Sequence, residues 1–291
     1  MSDSQAPTPT LLVGPVLALA VAAISAAAIL VRLVPEISPV SVAFWRTLMA
    51  SALFLPMARR ISRRDGALIV VAGAFMALHF WAWFTSLHST TVLRSTLLVC
   101  LAPVWVGLIE ALFLGSAPPR RFWVGISLAL LGVALLSSQG SGETDVTLLG
   151  DGLALLGGVL SAVYLLIGRT VRQRVHIGSY GAWICLAAAG WLGIILGVTG
   201  APLTGWGASS WGVLAALAVG PQVMGHMGLN YAIRYVPAGA VAAVTLLEPA
   251  GAALLAWIIL DEAATWIDTC ASGLALAGVG LAVVRRERTS S

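Results

Sequence analysis

The most constraining feature of this chain is a series of long apolar stretches that are separated by short connections. Ten of them cover residues 11–33, 39–58, 67–88, 91–114, 121–138, 150–168, 180–199, 209–233, 238–260 and 266–284. Each is close to the roughly 20 apolar residues that a helix needs to cross the hydrocarbon of a bilayer. Charged residues make up 10% of the chain, against roughly a quarter in soluble domains. The sequence therefore predicts an all-α membrane protein with ten transmembrane helices.

Part of this apolar pattern occurs twice. Residues 84–138 match a second segment at a constant offset, so that Pro103 corresponds to Pro249 and Gly132 to Gly278 (249 − 103 = 278 − 132 = 146). Each half then holds five helices, and this odd number makes the second half enter the membrane from the opposite side. We expect two inverted five-helix repeats, residues 1–138 and 150–291, joined by a periplasmic linker at residues 139–149. Two such halves can enclose one site and rock around it, as in many transporters.

Arginine sets the expected orientation. All 16 basic residues are arginine, and most lie at alternate connections or near the C-terminus, which the positive-inside rule places in the cytoplasm. Both termini are therefore predicted to be cytoplasmic, in a bacterial inner membrane. The net charge of +4 indicates this topology and contact with anionic membrane lipids. Nucleic-acid binding is not expected, because the arginines are scattered among the loops.

Few polar residues fall at the depth of the bilayer core, where a central charge costs about 2.5–3.5 kcal/mol on insertion scales. Glu248 lies in the middle of the ninth stretch. Gln222, His226 and Asn230 follow one another at intervals of four residues in the eighth stretch, which predicts that they share one helix face. Two interpretations stay open, because such side chains either line a substrate cavity or make structural bonds within the bundle. For Glu248 the structural partner would be Arg46 or a histidine.

Further candidates are aromatic residues and small residues. His79 and Trp83 are four residues apart in the third stretch. Trp83 and Tyr164 could accept an apolar or aromatic substrate group, or a cation, on their ring faces, and Trp257 is also expected to be deep in the membrane. The three cysteines, which are Cys100, Cys185 and Cys270, are expected to be small core residues. Their odd number and their spacing indicate neither a disulfide nor a metal cluster.

Prolines interrupt three of the predicted helices. A proline cannot bond the carbonyl of the residue four positions earlier and clashes with it, so Pro103, Pro221 and Pro249 each free one carbonyl. Inside a membrane that carbonyl needs another partner, such as a side chain, water or substrate. The fourth, eighth and ninth helices are therefore expected to line a cavity, unless the prolines only bend these helices for packing.

The same residues resemble a known family. Leu101 to Pro103, Leu247 to Pro249 with Leu260 to Glu262, and Phe44 to Arg46 match the pattern of the drug/metabolite transporter superfamily, EamA type. Within it, the chain looks most like bacterial exporters of aromatic and other amino acids and of paraquat. The resemblance implies a central substrate cavity and transport by alternating access. On this sequence, the helices that would line the cavity carry His79, Trp83, Cys100, Tyr164, Gln222, His226 and Glu248.

The sequence thus predicts a secondary transporter of the inner membrane that exports amino acids or related small metabolites by alternating access, with no cofactor. The alternative is efflux of multiple drugs or quaternary cations. An intramembrane enzyme is not expected, because the chain has no Gly-x-Ser-x-Gly elbow and no His-Glu-x-x-His motif. A channel is disfavoured because no filter-forming segment is visible. If a proton is coupled, Glu248 or His226 is the candidate carrier.

Overall fold

A computed structural model of the chain describes residues 9–113, 115, 120–138, 147–236, 238, 241 and 244–283. Most of the predicted linker and both chain ends lie outside these residues. Within them the regular structure is entirely helical. The α-helices are α1 (Pro9–Ser25), α2 (Ala27–Arg32), α3 (Pro39–Phe54), α4 (Arg63–Ser86), α5 (Val92–Val99), α6 (Ala102–Phe113), α7 (Arg120–Ser138), α8 (Leu148–Arg172), α9 (Ile177–Thr199), α10 (Ala208–Leu217), α11 (Met227–Ala232), α12 (Glu248–Leu260) and α13 (Trp266–Val283). A π-helix, Ala218–His226, joins α10 to α11, and short 3-10 helices cover Leu55–Met57 and Thr245–Leu247.

In the described part of the chain, seven helical segments are long and apolar enough to cross a membrane. They are Leu11–Arg32, Pro39–Met57, Arg63–Ser86, Val92–Phe113, Leu148–Arg172, Ile177–Thr199 and Ala208–Ala232. Three shorter apolar helices lie at Trp123–Gly132, Thr245–Leu260 and Thr269–Gly278. The prediction of an all-helical, multi-pass membrane protein is confirmed. The number of ten spans and their inverted arrangement stay predictions.

Short-range hydrogen bonds set where several of these helices begin. The hydroxyl oxygens of Ser38, Ser62, Thr91 and Thr147 each accept a hydrogen bond from the backbone N–H three residues later, which satisfies one of the free donors of a first helical turn. Helix α9 ends at Gly200, whose φ of 67° is the left-handed conformation that glycine adopts without a steric penalty. The apolar stretches therefore begin and end at residues suited to those positions.

The helix interruptions expected at the prolines are present. Helix α5 ends before Pro103, α12 begins next to Pro249 after a 3-10 turn, and Pro221 lies inside the π-helix. A further break at Ala26, between α1 and α2, was not predicted. Beside it the Ser25 hydroxyl donates a hydrogen bond of 2.9 Å to the Val21 carbonyl, and such bonding to the preceding turn often bends helices.

Glycines bring α7 and α13 into backbone contact. A Cβ added at Gly132 would lie 2.6 Å from the backbone nitrogen of Ala275 and 2.7 Å from the Ala271 carbonyl oxygen. A Cβ added at Gly278 would meet the backbone nitrogen of Ala129 and lie 2.6 Å from the Gly125 carbonyl oxygen. Ala275 and Ala271 are the repeat counterparts of Ala129 and Gly125 (275 − 129 = 271 − 125 = 146), so the contact at Gly132 is the counterpart of the contact at Gly278. Such reciprocity is what a two-fold axis between two copies of one unit produces.

One expectation about side-chain burial is wrong. Cys270 is exposed rather than part of the core, because α13 packs against α7 through a different face, which carries Ala271, Ala275 and Gly278. Trp257 is 59% exposed on the outer surface of α12. Neither side chain can therefore line an internal cavity in this conformation.

Candidate functional site

A cavity of about 60 Å³ lies between the helices, roughly midway along several of them. Its lining residues are Ile24, His79, Trp83, Val99, Cys100, Ala102, Ser161, Tyr164, Leu165, His226, Leu229, Asn230, Val241, Thr245 and Glu248. The space is large enough for water, since one molecule needs roughly 10–15 Å³. Both halves of the chain contribute to the wall, and the breaks at Pro103 and Pro249 adjoin it.

Six of the seven predicted cavity residues share this wall, namely His79, Trp83, Cys100, Tyr164, His226 and Glu248. Gln222 does not line the cavity. Gln222 and His226 both belong to the π-helix at Ala218–His226. Gln222 is instead directed at Arg46 and Cys185.

The imidazole and indole groups form one side of the cavity. The His79 and Trp83 rings stack with their centroids 5.9 Å apart, and the His226 ring lies 6.1 Å from His79. His79 Nδ1 is 2.8 Å from the Gly157 carbonyl oxygen. Among the described residues, His79 Nε2 and the indole nitrogen of Trp83 have no hydrogen-bond partner. Buried polar atoms without a partner are uncommon, so this side of the wall offers hydrogen-bonding groups to water or a substrate.

Glu248 places a carboxyl group in the cavity wall. It is the first residue of α12 and is 7% exposed, and the Cys100 thiol donates to its Oε2 atom at 3.5 Å. The start of a helix favours negative charge because the backbone dipoles add up there. No ion pair joins Glu248 to Arg46 in the part of the chain that the structure describes, so the pairing considered from the sequence is not present in this conformation.

A polar contact between α8 and α11 forms another part of the cavity wall. The Asn230 side-chain amide donates a short hydrogen bond to the Tyr164 hydroxyl and a second one, of 2.7 Å, to the His226 carbonyl oxygen. Asn230 therefore both joins helices, as one of the two interpretations expected, and lines the cavity. Ser161, one turn before Tyr164, also lines it. A single serine in an apolar helix carried no signal in the sequence.

Arg46 is buried more deeply than the sequence indicated. The side chain is 0% exposed, and its Nε donates a hydrogen bond of 2.8 Å to the Gln222 side-chain oxygen. The guanidinium carbon lies 4.2 Å from the centroid of the Phe80 ring and 5.5 Å from that of Phe84, within cation–π range. Phe80 in turn packs edge-on against His226, with 5.0 Å between the ring centroids. Arg46 therefore lies directly behind the cavity wall.

Comparison with known proteins identifies the family. A sequence model of the EamA-like transporter family matches residues 12–138 and, separately, residues 148–284. The chain belongs to the EamA-like transporter family. The matches leave out most of the predicted linker. They agree with the resemblance seen in the residues around Pro103, Pro249 and Arg46.

Relatives of this EamA-like protein carry transporter names. An uncharacterized transporter of Archaeoglobus fulgidus is 26% identical over 268 residues, which are 87% of this chain and 90% of that protein. The uncharacterized transporter YyaM of Bacillus subtilis is 26% identical over 215 residues, 69% of this chain and 70% of its own. A solved protein structure with 18% identity superposes with a TM-score of 0.67 over 93% of this chain and 96% of its own, which shows a shared fold. The family match and the names of these relatives make the protein a multi-pass membrane transporter.

Proposed function

We propose that this EamA-like protein is a secondary transporter of the bacterial inner membrane that exports amino acids or related small metabolites by alternating access. The cavity carries the proposal, because residues before and after the predicted linker build it together. His79, Trp83 and Cys100 come from the first half, and Tyr164 and Glu248 from the second. A site shared by two related halves is exposed to one side or the other when the halves rock against each other.

Four ion pairs among the described residues support alternating access, because each one joins the two halves. At the end of the bundle where α8 begins, Arg32 pairs with Glu262 at 2.9 Å, and Arg94 pairs with Asp151 at 2.5 Å. At the end where α8 finishes, the pairs are Arg169 with Glu110 at 3.4 Å and Arg174 with Asp65 at 2.6 Å. We propose that the first set closes the periplasmic side and the second set the cytoplasmic side. The reciprocal glycine contact supports the two-fold relation that inverted repeats require.

The wall of the cavity is suited to a small metabolite with polar and aromatic groups. His79 and Trp83 present unpaired ring nitrogens, and the indole face of Trp83 can stack on an aromatic group. The second candidate, quaternary-cation efflux, is favoured by Glu248 together with the ring faces of Trp83 and Tyr164, which attract cations. Both candidates use the same cavity and differ in the charge of the substrate.

Counterflow in proteoliposomes tests the proposal. Liposomes that contain the purified protein are loaded with unlabelled aromatic amino acid, aliphatic amino acid or quaternary ammonium ion, and the uptake of the labelled compound is followed. We expect saturable counterflow of amino acids that Trp83→Ala weakens. The control is Trp257→Ala, because that tryptophan is exposed on the outer surface of α12. Counterflow of the quaternary ion alone would favour the second candidate, and equal loss in both variants would argue against the cavity as the binding site.

A further inference from the structure

In the described part of the chain, Arg46 is a fully buried arginine that has two unpaired nitrogens. Its Nη1 and Nη2 atoms are buried and have no hydrogen-bond partner among the described residues. An unpaired buried charge is costly, and natural structures rarely keep one without a purpose. The other fully buried arginine, Arg172, is different, because its Nε donates to the Asn230 carbonyl oxygen and its Nη1 to the Val175 carbonyl oxygen. Burial alone therefore does not explain the free nitrogens of Arg46.

The guanidinium of Arg46 is held in one orientation. Gln222 binds its Nε at 2.8 Å, and the faces of Phe80 and Phe84 support its plane. The two terminal nitrogens remain as a planar fork of N–H donors. A fork of this kind binds a carboxylate through two parallel hydrogen bonds, which a lysine ammonium cannot do. A guanidinium that is held in place and has two unpaired nitrogens is suited to bind a carboxylate, and we call it the receptor.

The fork lies next to the cavity. His226 lines the cavity and packs edge-on against Phe80, whose face supports Arg46. His226 and Gln222 both belong to the π-helix, so one segment holds the guanidinium and also separates it from the cavity. π-helical turns are rare and are frequent at functional sites. A small change of register in this segment would move Gln222 and His226 together. The two terminal nitrogens of Arg46 would then be accessible from the cavity.

We infer that Arg46 binds the carboxylate of the transported substrate and that Glu248 binds its ammonium group. The substrates are then zwitterionic metabolites, as α-amino acids are; this inference rests on the proposed function. The two opposite buried charges are not paired with each other in the described residues, which leaves each free for the opposite end of one small molecule. A substrate without a carboxylate would leave the fork unsatisfied.

The test compares substrates that differ only in the carboxylate. Counterflow is measured with tryptophan and tryptamine, and with phenylalanine and phenethylamine, for the wild type, Arg46→Gln and Arg46→Lys. We expect the wild type to prefer the amino acid over the amine at least about tenfold in KM, since a hydrogen bond to a charged group contributes about 1.5–3 kcal/mol. Both variants should bring this ratio close to one. Arg172→Gln is the control, because it removes a buried arginine whose bonds are structural, and its ratio should stay at the wild-type value.

A second variant covers the case in which Arg46 is needed for folding. Gln222→Glu has nearly the same shape and places a carboxylate beside the Arg46 guanidinium, where it competes with the substrate. We expect a higher KM for amino acids and an unchanged KM for amines. An unchanged ratio in folded Arg46→Gln and Gln222→Glu proteins would overturn the inference.

The two proposals fail in different ways. If the wild type transports none of the panel, amino-acid export is wrong, and the carboxylate site is then tested by the melting temperature of the purified protein with benzoate or benzamide. A rise with benzoate in the wild type that is absent in Arg46→Gln would support the receptor. Equal melting temperatures with and without benzoate would refute it.

Discussion

Replacement of Gly278 by alanine tests the contact between α7 and α13. The added Cβ would meet backbone atoms of Ala129 and Gly125, which cannot move aside without separating the two helices. Overpacking of this kind costs about 1–3 kcal/mol. Alanine also gains up to about 1 kcal/mol over glycine in a helix interior, so the net effect of a single variant would be ambiguous.

A matched control on the same helix removes that ambiguity. No atom lies within 4 Å of a Cβ added at Gly273, so Gly273→Ala carries the same gain in helix propensity without the clash. The difference between the two variants therefore measures the contact, and we expect Gly278→Ala to be less stable by about 1–3 kcal/mol. Gly132→Ala should lose about as much as Gly278→Ala, because its contact is the reciprocal one. The double variant should lose less than the sum, since one separation of the helices relieves both clashes.

The assay is reversible unfolding in detergent, followed by tryptophan fluorescence and far-ultraviolet circular dichroism. For soluble domains of 150–250 residues, 1 kcal/mol shifts the melting temperature by about 2–4 °C, so we expect a difference of roughly 2–10 °C between Gly278→Ala and Gly273→Ala. Equal stability of these two variants would refute the close approach. Unequal losses at Gly132 and Gly278 would refute the two-fold relation.

Three further predictions concern charged groups. Arg94→Gln or Asp151→Asn should each lower the free energy of unfolding by about 3–5 kcal/mol, because both side chains are nearly buried and the remaining charge loses its partner. The partly exposed Arg169–Glu110 pair is the control and should contribute about 0–1 kcal/mol. Glu36 lies outside the helices, and the hydrogen bond from the Ser210 hydroxyl lowers its pKa below the ordinary 4.5. A lowered folded-state pKa stabilises the protein above pH 4.5, and this stabilisation is lost as the pH falls through the folded-state value. Ser210→Ala should therefore make the stability fall less steeply as the pH is lowered below 4.5. If transport is coupled to protons through Glu248, Glu248→Gln should abolish uptake driven by a pH gradient, while Glu36→Gln, which changes a carboxylate outside the helices, keeps it. An unchanged gradient dependence in Glu248→Gln would exclude that role.

Much of the fold could be predicted because the bilayer imposes simple rules. Apolar length indicated the helices, and the missing hydrogen bond at Pro103 and Pro249 indicated where two of them are interrupted. The four-residue spacing of His79 and Trp83 predicted that they share a face, and both line the cavity. These features depend on neighbours along the chain, which the sequence displays directly.

The remaining features depend on contacts between distant segments. Gly225 in the π-helix packs so closely on α1 that an added Cβ would lie 2.5 Å from the side chain of Ile24, and no periodicity in either segment indicated this approach. The partners of Gln222, which are Arg46 and Cys185, also lie on other helices. The free fork of Arg46 could not be predicted either, because the sequence shows a buried charge but not which of its donors find partners.

The central claim is that one cavity, built by both halves, is open to the two sides of the membrane in turn. Cys100 is a natural reporter for this claim, because it lines the cavity while Cys185 lies outside its wall and Cys270 is exposed. In a Cys185→Ser/Cys270→Ser background, a membrane-impermeant thiol reagent is applied to vesicles of right-side-out and inside-out orientation. Alternating access predicts that Cys100 reacts from either side and that transported substrate slows both reactions. A thiol that reacts from one side only, or that substrate does not protect, would contradict the account.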